Sequence, residues 1–131
     1  MAIGQVSQGV SREDTLLARD IAVYGLIARA MMSRGSEVSV SVKKLIDAYT
    51  QFFIDDEEEV KRVRRNALRP AVMSLIKHFM VVLANYSGFL SREWVANGKR
   101  EYLFDARKLR EALNEDPQRL VEYLIEVVKD A

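Results

Sequence analysis

Apolar residues recur at helical spacing through most of this chain, and the spacing predicts several helices. The first is expected over residues 12–34, after a capping-box-like start at Ser11; its apolar positions are Leu17, Ile21, Tyr24, Ala28 and Met31. A second follows Ser41, with its apolar face formed by Val42, Leu45, Ile46, Tyr49, Phe52 and Phe53. Between them, residues 37–42 alternate polar and apolar side chains, which predicts a short strand.

The periodicity changes direction within the next apolar segment. Val63 and Ala67 share one helix face, whereas the apolar residues that follow share another, which lies over the preceding basic residues. One straight helix would therefore bury its own arginines. Pro70 stands at the changeover, and a proline inside a helix lacks an amide donor and clashes with the preceding turn. The pattern predicts two helices, 57–68 and 70–86, that meet at an angle.

The segment from Phe89 to Phe104 has the composition of a β-hairpin. Its centre is Asn97-Gly98, a pair of residues typical of a two-residue turn. That turn predicts the cross-strand pairs Arg92–Leu103 and Trp94–Glu101 on one face, and Ser91–Phe104 and Glu93–Tyr102 on the other. Neither face is wholly apolar, so the buried side stays open at this point. Trp94 is expected in the core or in an interface.

Two further helices are predicted at the C-terminus. Asp105 caps one over residues 106–114, and Asp116-Pro117 starts another. The last helix has an apolar stripe that includes Leu120, Leu124, Ile125 and Val128. We interpret these four residues as a homodimer interface; closure of the core is the alternative.

Length and composition predict one domain and exclude several chemistries. The chain has 131 residues, no cysteine and one histidine, so disulfides and thiolate metal sites are excluded. We expect a flexible arm at 1–10 and a single domain at 11–131. The apolar run from Ala71 to Ala84 is too short and too polar for a bilayer span, so no membrane partner and an intracellular location are expected. No catalytic constellation, metal site or cofactor motif is visible, which favours a binding protein over an enzyme.

Charge placement is more informative than the net charge of +1. Five acids at 55–59 suit a helix N-terminus and precede a basic cluster. Glu57–Lys61 and Glu58–Arg62 have the i,i+4 spacing of ion pairs, so these two cations are expected to be neutralised. The remaining candidates for phosphate or base contacts are Arg64, Arg65, Asn66, Arg69, Lys77, Lys99 and Arg100. The alternatives are a solvated, partly self-paired surface for the cations of the helices, a cap of the next turn for Asn66, and a solubilised hairpin tip for Lys99 and Arg100.

The predicted order over residues 12–104 resembles the winged helix-turn-helix family. With the two pieces 57–68 and 70–86 counted as one broken helix, it runs helix, strand, helix, helix, strand, turn and strand, and residues 105–131 add C-terminal helices. The resemblance implies an α+β fold that is mainly helical, with a small β-hairpin called the wing. It also implies binding of double-stranded DNA by a helix and the wing, commonly as a homodimer.

The small size, the absence of cysteine and the many charges also resemble proteins encoded by viruses and plasmids of hyperthermophilic archaea, in particular crenarchaeal spherical viruses. That likeness implies a dimeric transcriptional regulator of viral or archaeal genes, acting in the cytoplasm of the host cell. The alternative is a virion structural or assembly protein that uses the fold for protein contacts or for non-specific coating of nucleic acid.

Overall fold

A computed structural model describes residues 10–130, which form a mainly helical α+β fold with a small antiparallel sheet. The predicted arm at 1–10 therefore lies outside the described residues, apart from Val10. In chain order the elements are α1 Arg12–Met32, β1 Glu37–Val40, α2 Val42–Phe53, α3 Glu57–Ala67, α4 Pro70–Tyr86, β2 Leu90–Ala96, β3 Lys99–Asp105, α5 Ala106–Glu115 and α6 Pro117–Lys129.

Side-chain caps fix where most of the helices begin. The Ser11 hydroxyl accepts a hydrogen bond from the Asp14 amide at 3.1 Å, and the Asp14 carboxylate accepts one from the Ser11 amide, which is the predicted capping box. The same role is filled at α2, α3, α5 and α6 by Ser41, Asp56, Asp105 and Asp116. The starts of α1, α2, α5 and α6 were predicted because Ser and Asp side chains can satisfy amides that the helix leaves unpaired. The start of α3 was predicted from the acids at 55–59, which suit a helix N-terminus.

The predicted break at Pro70 is confirmed. α3 ends at Ala67, α4 begins at Pro70, and the two helices are bent by 86°. Proline is tolerated at the first position of α4 because no helical hydrogen bond is lost there. The bend lets Ala67 of α3 and the apolar face of α4 enter one core. Leu68 was expected on that apolar face, but it caps the end of α3 and is 50% exposed.

The three strands form one antiparallel sheet in the order β1-β3-β2. Asn97 and Gly98 both have positive φ, 54° and 73°, as a type I′ turn requires. Three predicted pairs are confirmed: Arg92–Leu103, Glu93–Tyr102 and Trp94–Glu101. The predicted pair Ser91–Phe104 is wrong, because a β-bulge at this point places Leu90 opposite Phe104.

The sheet buries one face. Tyr102 and Phe104 of β3, with Val38 and Val40 of β1, are buried in the same core as the helices. Trp94 belongs to the opposite face and is 45% exposed, so its expected place in the core is wrong. β3 is thus buried on one face, whereas the residues of β2 from Ser91 to Val95 are exposed.

The apolar stripe of α6 closes the core of the single chain. Leu120, Leu124 and Val128 are at most 5% exposed and pack among residues of the other helices, while Ile125 is partly buried. Three of the four residues predicted to form a dimer interface are therefore already covered. Helical spacing of apolar residues is the same for a face that packs in the core and for a face that forms an interface. The sequence therefore left both interpretations open.

No single helix within residues 10–130 has both the length and the apolarity needed to cross a membrane. α3 and α4 meet those two criteria only when taken together, across their 86° bend.

Candidate nucleic-acid interface

The basic residues at the start of α3 are paired within the helix. Lys61 lies 3.6 Å from Glu58, and Arg62 donates two hydrogen bonds to the carboxylate of Glu59. Those bonds hold the pKa of the Glu59 carboxyl below its usual value. The predicted neutralisation thus occurs, but through i,i+3 pairs one residue away from the predicted i,i+4 partners.

Arg64 and Arg69 are tied to acids on other elements. Arg64 Nη2 lies 2.8 Å from Asp47 Oδ1 of α2, and the Arg64 guanidinium donates to the Thr50 hydroxyl at 3.3 Å. Arg69 Nη1 lies 3.1 Å from Asp14 Oδ2 of α1. Both arginines hold helices together, so less of their charge is available to a ligand. Sequence spacing could not reveal these partners, which are 17 and 55 residues away.

Arg65 and Asn66 complete the predicted set on α3. Arg65 is exposed and has no ion pair among residues 10–130. Asn66 lines a cleft of about 500 Å³ between α1 and α3, together with Glu13, Asp14, Asp20, Arg62 and Arg69. Burial raises the pKa of the Asp20 carboxyl, partly offset by the neighbouring Arg19. The lining of this cleft has more acids than cations, so it is a poor site for a polyanion.

A second cleft, here called the α4–hairpin cleft, collects cations from separate elements. It has a volume of about 690 Å³ and is lined by Lys77 of α4 and by Lys99 and Arg100 after the hairpin turn. Met80 and Tyr102 form apolar parts of its wall, and Ser41 and Val42 contribute the N-terminus of α2. In the part of the chain that the structure describes, no acidic side chain lines this cleft. Its chemistry suits a phosphate backbone.

The start of α2 adds positive charge beside the cleft. Its first turn carries no acid, although acids are the usual stabilising residues there, and instead contains Lys43 and Lys44. Lys43 is exposed. Lys44 donates to the Ser39 hydroxyl at 2.7 Å and lies 3.8 Å from Glu101. Neither lysine was among the residues predicted from the sequence; their position directly after the capping Ser41 was the available signal.

The cations of the cleft differ in how far they are neutralised. Lys77 and Lys99 are exposed and form no ion pair within residues 10–130. Arg100 Nη1 lies 3.4 Å from Glu93 across the hairpin, with its side chain 59% exposed. The structure therefore brings together three of the seven predicted residues, Lys77, Lys99 and Arg100. The other four lie on α3 or at its end, outside this cleft.

The described residues contain no group of three or more histidine, aspartate or glutamate side chains that could hold a metal ion. No protein-family model, curated protein or solved structure matches this chain.

Proposed function

We propose that this chain binds double-stranded DNA through the α4–hairpin cleft, as a winged helix-turn-helix protein that regulates transcription. One observation carries the proposal: Lys77, Lys99 and Arg100 come from two separate elements and line one cleft without an acid. Lys77 and the neighbouring Lys99 and Arg100 repel one another across the cleft, and a bound anion would relieve that repulsion.

The architecture supports the same proposal. A sheet arranged β1-β3-β2 with its hairpin at one end is expected for a winged helix, and α3 and α4 stand where its helix-turn-helix would be; α2 is one helix more than that order contains. α4 directly precedes β2, so it takes the place of the recognition helix. α3 and α4 meet at 86°, close to the angle between helices of a helix-turn-helix. Ser74, Lys77 and His78 are exposed on the outward side of α4, where they can reach base edges.

Binding would combine phosphate contacts with limited base contacts. Lys77 and Lys99 supply ammonium groups that form no ion pair within residues 10–130, and the N-terminus of α2 adds a partial positive charge. The Arg100 guanidinium forms an ion pair with Glu93 and would contact a phosphate once that ion pair is broken. The hairpin tip would follow the DNA backbone while α4 lies in the major groove.

Non-specific coating of nucleic acid is the second candidate function. The favouring observation is that α4 offers few base-reading side chains: it has no arginine or glutamine, and its one asparagine is Asn85 near the C-terminal end. Arginine, asparagine and glutamine make the bidentate contacts that discriminate bases. Selection of bound fragments from random duplex DNA at several ionic strengths distinguishes the two functions, because a regulator enriches one sequence and a coat protein enriches none.

Fluorescence anisotropy with a labelled duplex tests the site. Lys77→Gln and Lys99→Gln should each weaken binding and flatten the dependence of log affinity on log salt by about 0.9 for each phosphate that is no longer neutralised. Lys129→Gln is the matched control, since Lys129 is exposed at the end of α6. Arg65→Gln tests the rival surface on α3. A larger loss from Arg65→Gln than from Lys77→Gln would contradict the proposed site.

A further inference from the structure

The outer edge of β2 is open and partly apolar. β2 pairs with β3 on one side, and no strand within residues 10–130 pairs with its other side. Trp94 and Val95 in the middle of this strand are 45% and 62% exposed. An uncovered strand edge with large apolar side chains is a template for pairing with another strand.

The hydrogen-bonding direction of this edge follows from the turn. Ala96 and Lys99 flank the type I′ turn and so form a hydrogen-bonded pair. Because the direction alternates along a strand, the backbone groups of Trp94 point toward β3. Those of Glu93 and Val95 point outward. Two residues therefore offer four unpaired backbone groups to a partner.

The charges of this edge are already satisfied within the sheet. Arg92 lies 3.3 Å from Glu37 of β1, and Glu93 lies 3.4 Å from Arg100 of β3. Charged side chains commonly protect a strand edge from pairing, but these two are held by partners on their own chain. The bulge beside Ser91 limits the regular edge to residues 92–96.

We propose that β2 pairs antiparallel with β2 of a second copy of this chain, so that two three-stranded sheets join across a twofold axis. Opposite residues must share a face, so the axis passes beside one residue of the strand. With the axis at Glu93, the two Glu93 carboxylates would lie directly opposite each other and repel. With the axis at Val95, Glu93 would lie opposite Asn97, which belongs to the turn and not to the strand. An axis at Trp94 pairs Glu93 of each copy with Val95 of the other, and these two residue pairs make four hydrogen bonds in all.

That register also places Trp94 beside Trp94 of the second copy. The two indoles occupy a non-hydrogen-bonded position, where side chains approach closely, and their exposed apolar surface becomes shared. Five residues of edge and one tryptophan pair make an interface smaller than the usual ~1,600 Å². The dimer should therefore be weak and depend on concentration.

The proposed pairing does not use the residues of the DNA cleft, since no residue of β2 lines the α4–hairpin cleft. The two proposals meet only at Glu93 of β2, whose side chain pairs with Arg100 of the cleft. The interface differs from the α6 stripe predicted from the sequence, which is buried in the core of each chain.

Cysteine cross-linking tests the register directly, because the chain has no cysteine of its own. In the proposed dimer, Trp94→Cys places two cysteines about 4.5 Å apart between Cα atoms, which a disulfide can span. Mild oxidation should convert this variant to a covalent dimer. Arg92→Cys is the control on the same exposed strand, since its two copies are about 13 Å apart along the strands. A mixture of the Arg92→Cys and Ala96→Cys variants should cross-link, because residue 92 of one copy lies opposite residue 96 of the other in the proposed dimer.

A second variant separates strand pairing from chance collision. Val95→Pro removes an outward-pointing amide and no bond to β3, so adding it to Trp94→Cys should suppress cross-linking while circular dichroism is unchanged. Trp94→Cys that cross-links no faster than Arg92→Cys would overturn the proposal, as would unaltered cross-linking with Val95→Pro. Monomeric protein whose Glu93 and Val95 amides resist hydrogen exchange would show that the chain covers its own edge, and would also overturn it.

Discussion

Gly25→Ala tests the packing that positions the start of α2 beside the cleft. α1 and α2 approach closely at Gly25, where an added Cβ would lie 2.7 Å from the Leu45 carbonyl oxygen and 3.2 Å from Leu45 Cα. Real Cβ atoms do not approach a backbone oxygen this closely, and a backbone atom cannot rotate away. α2 would have to move outward from α1.

The magnitude follows from two opposing effects. Overpacking of a core contact costs about 1–3 kcal/mol, and a backbone contact at this distance belongs at the upper end. Alanine instead of glycine within a helix returns about 1 kcal/mol. We expect a net loss of about 1–2 kcal/mol, which lowers Tm by about 4–8 °C for a domain of this size.

Thermal and urea unfolding followed by circular dichroism measures this change. Gly35→Ala is the matched control, because the nearest atom to its added Cβ is the Glu37 carbonyl oxygen at 3.8 Å, an ordinary contact. We expect the control to stay within about 0.5 kcal/mol of the unaltered protein. A Gly25→Ala variant as stable as the unaltered chain would refute the close-packing argument.

Three further predictions concern the core, an interhelical tie and pH. Leu124→Asp should abolish cooperative unfolding, because the side chain is fully buried and a carboxylate there has no partner; a folded variant that has merely become monomeric would contradict this. Asp14→Asn should weaken the tie to Arg69 and lower stability by up to about 1 kcal/mol, measured by urea unfolding against Glu13→Gln; equal midpoints would argue against it. Hydrogen bonds from Ser91, and to a lesser extent from Arg92, lower the pKa of the Glu37 carboxyl. Its stabilising contribution is therefore present above the unfolded pKa of about 4.5 and is lost as pH falls through the lower folded pKa. The stability of Glu37→Gln should depend less steeply on pH in the acid range, and acid unfolding curves identical to those of the unaltered protein would contradict this.

Local chemistry made much of the fold predictable. Pro70, Asn97-Gly98 and the capping residues act on neighbours within a few positions, and the helix break, the hairpin turn and the helix starts predicted from them are confirmed. The bulge at Ser91 was not predicted, because nothing in the residues around it signals an extra residue in the strand. Helix α1 ends at Met32, two residues before its predicted end.

The candidate site was less predictable because it depends on distant contacts. Arg64 and Arg69 lack acids one turn away, yet the fold supplies Asp47 and Asp14 as partners. The prediction that Arg64, Arg65 and Arg69 carry more DNA affinity than Lys61 and Arg62 stays a prediction, but the ion pairs of Arg64 and Arg69 weigh against it. The proximity of Lys77 to the hairpin tip likewise appears only when the sheet packs beside α4.

Occupancy of the α4–hairpin cleft by DNA is best measured by amide NMR of the labelled protein during titration with a short duplex at low salt. We expect the largest shifts at the start of α2, around Lys77 and at Lys99 and Arg100, and we expect them to diminish as salt is added, because phosphate contacts are screened. Largest shifts on α3 between Lys61 and Arg65, or no shifts at all, would contradict the proposed DNA site.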